Sequence, residues 1–168
     1  VSRLKSSGIK KALSLDEVHK IADINLSERP TLIDARNYFI FSFYSRGMNF
    51  VDMMTLKWND INGDRLYYVR SKTKSNFQIK ILPPALKVLN YYKAQKRKTN
   101  YVFPILLEEN MTFSHLENRK RKTLKRYNKR LREIGELCEI SKPLSSYVAR
   151  HSYANCLKQK GVATDIIS

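Results

Sequence analysis

The chain has few of the residues that build disulfide frameworks or zinc sites. Only two of its 168 residues are cysteines, Cys138 and Cys156, and they lie in unlike contexts without metal-site spacing. Its three histidines, His19, His115 and His151, are scattered along the chain. These scarcities argue against a metal cluster and favour a reduced, cytosolic setting over a disulfide-stabilised one.

Long apolar segments are also missing. The longest run, from Tyr38 to Tyr44, is interrupted by Ser42 and is far shorter than the ~20 residues that span a bilayer. Residues 1–5 contain no apolar segment of the kind found in signal peptides. Because there is no lipidation motif and no long basic amphipathic helix at either terminus, a membrane surface is the weaker candidate for a partner.

Acidic residues are scarce relative to basic ones. Asp and Glu number 15 against 32 Lys and Arg, which gives a net charge of +17. Charge of one sign repels itself in a compact state, so this excess calls for a polyanionic partner. The 42% hydrophobic content supports a real core, and the length suits a single domain. A globular domain with this charge is typical of nucleic-acid-binding proteins.

The sequence pattern predicts a mainly α fold with a small antiparallel β-sheet (α+β). The period changes to two at Leu66–Arg70 and Phe77–Ile81, which predicts a hairpin whose polar loop, 71–76, holds Lys72 and Lys74. Segments with helical periodicity, a capping box or a helix-starting proline are predicted to be helices: 14–24, 32–47, 50–56, 84–96, 115–138, 145–160 and a last one from about 163.

One predicted helix is strongly basic. Residues 119–132 carry nine Lys or Arg and no acid. Like charges at i and i+4 destabilise a helix, so this run favours a surface that follows phosphates over an ordinary solvated face. The candidate nucleic-acid-binding residues are Arg119, Lys120, Arg121, Lys122, Lys125, Arg126, Lys129 and Arg130, with Lys74 from the hairpin loop.

A candidate phosphate site lies at the start of the helix predicted from Ser145. Tyr147, Arg150 and His151 share one face there, because they stand at i, i+3 and i+4. An arginine and two proton-carrying side chains near a helix N-terminus suit a phosphate. Each residue also has an ordinary alternative: a core aromatic, a salt-bridge partner and a surface histidine. Lys72, at the hairpin tip, could contact a phosphate or a leaving oxygen.

Three segments, Arg46–Ile61, Ser71–Thr73 and Tyr147–Ala154, together resemble the catalytic domain of the tyrosine recombinases (phage integrases). The resemblance runs from about Ala12 to Ser168 and has features similar to mobile-element integrases of Bacteroides-type bacteria. It implies double-stranded DNA as the partner and cleavage by a tyrosine that forms a 3′-phosphotyrosyl link, without a metal or nucleotide cofactor. In that family two arginines bind phosphate oxygens, a lysine protonates the leaving 5′-oxygen and a histidine assists proton transfer.

The resemblance assigns roles residue by residue. Lys72 matches the hairpin lysine, and Arg150 matches the second arginine. Tyr147 stands in the histidine position, where its hydroxyl can donate a hydrogen bond but is a poorer base, since a phenol titrates near 10. His151, which follows the arginine, is expected to support the site from behind.

The position of the family's first arginine is a departure. Aligning Gly47 and Asp52 with the family's Gly-x-Arg-x-x-Glu/Asp pattern puts Asn49 in the arginine position. Asn49 can donate a hydrogen bond but carries no charge. Arg46 lies about one helical turn earlier, and we predict that it substitutes for the missing arginine.

The family's nucleophilic tyrosine follows a late motif expected after residues 161–168. We therefore expect 12–168 to be a catalytic domain truncated before its nucleophile, with 1–11 a basic linker from an upstream DNA-binding arm. The chain is then expected to bind DNA without forming a covalent adduct and to be a monomer alone. The full-length protein is expected to be a tetramer on DNA, in the cytoplasm at the nucleoid.

Two other functions stay open at this point. A non-catalytic basic nucleic-acid-binding module would explain the charge. A recombinase fold that has lost catalysis and serves regulation would explain Asn49 and Tyr147.

Overall fold

The structure, a computed structural model, describes residues 11–160. Most of the predicted linker at 1–11 and the helix predicted from about 163 lie outside these residues. The helices are α1 (Leu15–Asp23), α2 (Ile33–Tyr44), α3 (Phe50–Thr55), α4 (Pro83–Lys93), α5 (Phe113–Leu137) and α6 (Ser146–Gln159). The strands are β1 (Ile61–Asn62), β2 (Arg65–Val69) and β3 (Asn76–Lys80). The predicted fold class, mainly helical with a small antiparallel sheet, is confirmed.

The capping box predicted for α1 is present. The Ser14 hydroxyl accepts a hydrogen bond from the Glu17 N–H (3.2 Å), and the Glu17 carboxylate accepts one from the Ser14 N–H (3.0 Å). Two of the orphan donors at the helix start are thereby satisfied. Among the described residues, no helix is long and apolar enough to cross a bilayer.

Helix α2 ends at Tyr44, three residues before the predicted end at Gly47. Its last turn closes when the Gly47 N–H donates to the Ser42 carbonyl (2.8 Å), the six-to-one hydrogen bond of a Schellman motif. The left-handed residue of that motif is usually glycine, but here Arg46 occupies it with φ of 56°. Arg46 is therefore held in a conformation that costs a side-chain-bearing residue about 1–2 kcal/mol.

The sheet has three strands in the order β1-β2-β3, all antiparallel. The predicted hairpin is confirmed, with Leu66 opposite Ile79 and Tyr68 opposite Phe77. Strand β1 was not predicted. It pairs with the start of β2 across a turn at Gly63, and two residues are too few to show a period.

Helix α2 lies at the centre of the core and packs against α1, α4, α5 and α6. It is buried on almost every side, as a helix in the middle of a bundle must be. Its Tyr38 ring meets the edges of Phe103 and Tyr127, each at 5.5 Å between centroids, and Phe41 packs on Phe103 at 4.9 Å. The surrounding elements therefore take their positions from α2.

Helix α6 is fixed at three points. The Ser146 N–H, in its first turn, donates to the Asn128 side chain of α5 (2.9 Å). The hydroxyl of the buried Ser152 accepts from the Leu13 N–H (2.9 Å). Gly47 lies so close that a Cβ added there would stand 2.9 Å from the Arg150 Cα.

The contact at Gly47 predicts a graded effect of alanine substitutions. Gly47 (φ 69°) and Gly63 (φ 62°) are both left-handed, but a Cβ at Gly63 would meet nothing within 4 Å. We expect Gly63→Ala to lower the free energy of unfolding by about 1–2 kcal/mol, the conformational cost alone. Gly47→Ala should lose about 1–3 kcal/mol more from the clash with α6.

Urea denaturation of the two variants and the parent checks this. Equal losses for the two substitutions would contradict a steric role for Gly47 against α6.

Candidate functional site

The predicted face of Tyr147, Arg150 and His151 lies on the first turns of α6. Arg150 is half-buried, and its Nη1 donates to the Gly47 carbonyl (3.3 Å). The structure thus brings the start of α6 against the joint between α2 and α3, two segments that the sequence could only propose to share a site.

The charge of a second arginine, Arg70, reaches Arg150. Burial is the main cause that lowers the pKa of Arg150, and the positive charge of Arg70 is the next. An anion bound near both guanidiniums would offset their mutual repulsion. The pair is therefore a better phosphate site than Arg150 alone.

Sequence reasoning missed Arg70, although the strand period contained the signal. Side chains alternate along a strand, so residues 66, 68 and 70 point to one face. Leu66 on that face is buried and Tyr68 is half-buried, which directs Arg70 toward the body of the domain. Its backbone also closes the hairpin loop, because the Arg70 N–H donates to Ser75 and its carbonyl accepts from Lys74.

The buried carboxylate of Asp52 joins the α2–α3 region to the hairpin. Its Oδ1 accepts a hydrogen bond from the Ser71 N–H (3.0 Å), one residue before Lys72. Its Oδ2 is buried without a hydrogen-bond partner among the described residues. The negative charge of Asp52 raises the pKa of Arg150, but burial and the charge of Arg70 lower it more strongly. Asp52 thus tethers the lysine loop beside the arginines.

Tyr68 is a further residue that the sequence did not single out. Burial raises its pKa to about 12, and the Asp52 carboxylate adds to the rise. Three arginines oppose the rise, in decreasing order Arg70, Arg150 and Arg46. Its hydroxyl therefore stays protonated at neutral pH and can donate a hydrogen bond.

The two candidates for the first-arginine position are placed differently from Arg70. Arg46 is exposed, and its charge reaches Tyr68 and Tyr153, but it is not among the groups that shift the pKa of Arg150. Asn49 is half-exposed and is the N-cap residue of α3, yet its side chain makes no capping hydrogen bond. The Asn49 amide therefore does not cap α3.

Lys72 is exposed in the loop between β2 and β3, as the prediction requires of a lysine that reaches a ligand. Lys74 is also exposed, with φ of 59°. Neither lysine forms an ion pair with a described residue.

Tyr147 is 60% exposed, so the alternative of a core aromatic is wrong. Its ring meets the edge of His151, with 4.5 Å between centroids. Burial lowers the pKa of His151, and the charges of Lys11 and Arg150 lower it further. His151 is therefore a neutral imidazole at pH 7, which can accept or donate a hydrogen bond beside the arginine.

The basic residues of α5 fall into two groups. Arg119 donates to the carbonyls of Ile105 (2.7 Å) and Pro104 (3.4 Å), and Lys120 pairs with Glu117 (2.9 Å). Most of the others are exposed: Arg121, Lys122, Lys125, Arg126, Lys129 and Arg132. Because Asn128 of the same helix bonds the first turn of α6, this basic surface is mechanically joined to the arginine site.

Residues 11–160 contain no group of three or more His, Cys, Asp or Glu side chains that could hold a metal ion.

Several solved structures share this fold. The catalytic core of lambda integrase matches with a TM-score of 0.60 and 16% identity, over 94% of this chain and 88% of that one. XerA recombinase matches with a TM-score of 0.59 and 16% identity, over 93% of this chain and 53% of that one. XerH recombinase bound to its difH substrate matches with a TM-score of 0.62 and 15% identity, over 94% of this chain and 45% of that one.

The chain thus spans about half the length of XerA recombinase. No curated protein matches it. The family model of the phage integrase family matches residues 11–168, which is nearly the whole sequence. The chain therefore belongs to the phage integrase family, the tyrosine recombinases.

Proposed function

We propose that this chain is the DNA-binding catalytic domain of a site-specific recombinase that breaks and rejoins DNA strands through a 3′-phosphotyrosyl intermediate. The observation that carries the proposal is that Arg150 is held on the α2–α3 joint at Gly47, within reach of the charge of Arg70, while Asp52 of the same region holds the loop of Lys72. Like charges gathered at one point, with a buried carboxylate fixing the loop, form a site that a phosphate diester would complete. Similar folds include a lambda integrase bound to DNA.

The arginines act on the charge of the reacting phosphate. When a tyrosine hydroxyl attacks phosphorus, it gives its proton to water, and negative charge accumulates on the two non-bridging oxygens. Arg150 and Arg70 donate to these oxygens and stabilise the transition state more than the ground state. Because the α2–α3 joint and the hairpin fix their positions, little reorganisation is needed when the charge develops.

Lys72 acts on the leaving group. As the tyrosine–phosphorus bond forms, the bond from phosphorus to the 5′-oxygen breaks, and that oxygen needs a proton. The Lys72 ammonium supplies it as a general acid, and the reverse step returns the proton during rejoining. The covalent link conserves the bond for transfer to another strand.

Tyr147 and His151 assist without carrying charge. The exposed Tyr147 hydroxyl can donate to a phosphate oxygen from the histidine position of the family. The neutral His151 imidazole supports Tyr147 through the ring contact. Neither residue is the nucleophile in this proposal.

Arg70 is the better candidate for the missing first arginine. Arg46 remains a candidate, since its charge reaches Tyr68, but Arg70 acts on Arg150 more directly. Asn49 would then contribute a neutral hydrogen bond at most. The left-handed conformation of Arg46 favours a role in contacting DNA near the site.

The basic surface of α5 is proposed to contact the DNA backbone. Its exposed lysines and arginines neutralise phosphates and release counterions, which stabilises binding without reading sequence. We further propose that the full-length protein works as a tetramer on DNA at the nucleoid, while the present chain is a monomer in the absence of DNA.

The proposed α5 contact predicts a change in salt dependence. Replacing both Lys125 and Lys129 by Gln should lower the slope of log K against log salt concentration by about 1.8, or about 0.9 for each lost phosphate contact. Fluorescence anisotropy with a DNA duplex at several salt concentrations measures the slope.

The matched control replaces two exposed lysines elsewhere, Lys87→Gln and Lys98→Gln, with the same loss of net charge. An equal loss of slope in the control would rule out a local contact by α5.

The arginine pairing predicts a loss of cleavage that exceeds the loss of binding. In the full-length protein, Arg150→Ala and Arg70→Ala should each slow single-turnover cleavage by about 10²–10³-fold, because each removes a donor to the transition state. The affinity for DNA should fall by less than about tenfold.

Arg65→Ala is the control, since Arg65 lies on the same strand as Tyr68 but on the opposite face. Proportional losses of binding and cleavage would instead favour a non-catalytic binding module. If Arg46→Ala or Asn49→Ala slows cleavage more than Arg70→Ala does, Arg70 is not the substitute.

A further inference from the structure

A cleft of about 500 Å³ lies away from the residues of the phosphate site and shares none of them. It is formed by the turn at Trp58, the sheet and helix α4 with the segment that follows it. Its size falls within the range of small-molecule sites, which is about 300–1,000 Å³.

The charge of this cleft is one-sided. Lys93, Lys96 and Arg97 line it, and no acidic residue does. Within residues 11–160, Arg97 forms no ion pair with a carboxylate. A cleft with three cations and no anion attracts a negatively charged ligand.

Arg97 and Thr99 also carry unsatisfied polar atoms. One nitrogen of Arg97, Nη2, donates to the carbonyls of Tyr101 and Val102 and so fixes the side chain. Its Nε and Nη1 are buried without a hydrogen-bond partner among the described residues, as is the Thr99 hydroxyl. These atoms have almost no solvent-accessible surface, so the attraction of Arg97 for an anion in the cleft comes from its charge and not from hydrogen bonds by these atoms.

Part of the lining of the cleft is apolar. It consists of Trp58 with Ile61, Ile81 and neighbouring leucines. The backbone of Trp58 is fixed by its N–H, which donates to the Asn100 carbonyl (2.9 Å). An indole beside a cationic pocket suits a flat ring that carries a phosphate, because aromatic side chains stack on nucleic-acid bases.

We propose that this cleft binds a nucleoside phosphate. The phosphate is held by the positive charges of Lys93, Lys96 and Arg97, and the base lies against Trp58. This site is separate from the proposed DNA-cleavage site, so its occupancy does not depend on the recombinase function being correct.

Isothermal titration calorimetry of the chain with AMP tests the proposal, with adenosine and inorganic phosphate as separate ligands. AMP should bind saturably, and adenosine and phosphate should each bind at least about tenfold more weakly, because each lacks one half of the recognised structure. Failure of AMP to bind saturably up to about 10 mM would overturn the proposal, as would binding of phosphate alone with equal affinity.

Substitutions locate the binding. Arg97→Met and Lys96→Met should each weaken AMP by about tenfold or more, while Lys87→Met should leave it unchanged. Lys87 is the matched control because it is an exposed cation of α4 that does not line this cleft. A chain of net charge +17 attracts anions over its whole surface, so an equal loss in Lys87→Met would overturn the assignment.

Lys96→Met keeps the test valid if Arg97→Met does not fold, since Lys96 is exposed and makes no hydrogen bond through its side chain in the described structure. The affinity of Lys96→Met for a DNA duplex should stay within about threefold of the parent, apart from the loss of one charge. A larger loss would mean that the cleft is part of the DNA-binding surface and would overturn a separate site.

Discussion

The close backbone contact between Gly47 and Arg150 is the constraint on which the site depends. A side chain at position 47 would collide with the Arg150 Cα, so α6 can approach the α2–α3 joint only because glycine stands there. The same approach lets Arg150 donate to the Gly47 carbonyl. Helix α2 is the centre of the core, so the position of Arg150 depends on how the whole domain packs around that helix.

The site stores electrostatic repulsion that its ligand would relieve. The charge of Arg70 lowers the pKa of Arg150, and Asp52, the only buried carboxylate described in the structure, accepts a hydrogen bond from the backbone of the lysine loop. The fold therefore brings positive charge from the hairpin and from α6 to the same region of the domain. An anion that enters meets donors already in place, which is the basis of electrostatic preorganisation.

Much of the fold was predictable because it follows from short-range rules. The capping box at Ser14 and the alternation around Tyr68 gave the start of α1 and the hairpin in their correct places. Helix α2 ends earlier than predicted because a Schellman motif at Arg46 closes its last turn. No sequence pattern indicates that an arginine will adopt the left-handed conformation. Helical spacing and the hairpin tip singled out Arg150 and Lys72 as candidates, and the family resemblance assigned them roles, whereas Arg70 was not proposed from the sequence.

The sequence by itself determined the family, the class of fold and the need for an anionic partner, because periodicity, motifs and net charge are local or additive properties. Only the tertiary structure decided which arginines meet. Arg70 and Arg150 are 80 positions apart in the chain, and their encounter depends on how the hairpin and α6 pack against the α2–α3 joint. Such a contact is set by the shape of a shared core, which no single segment encodes.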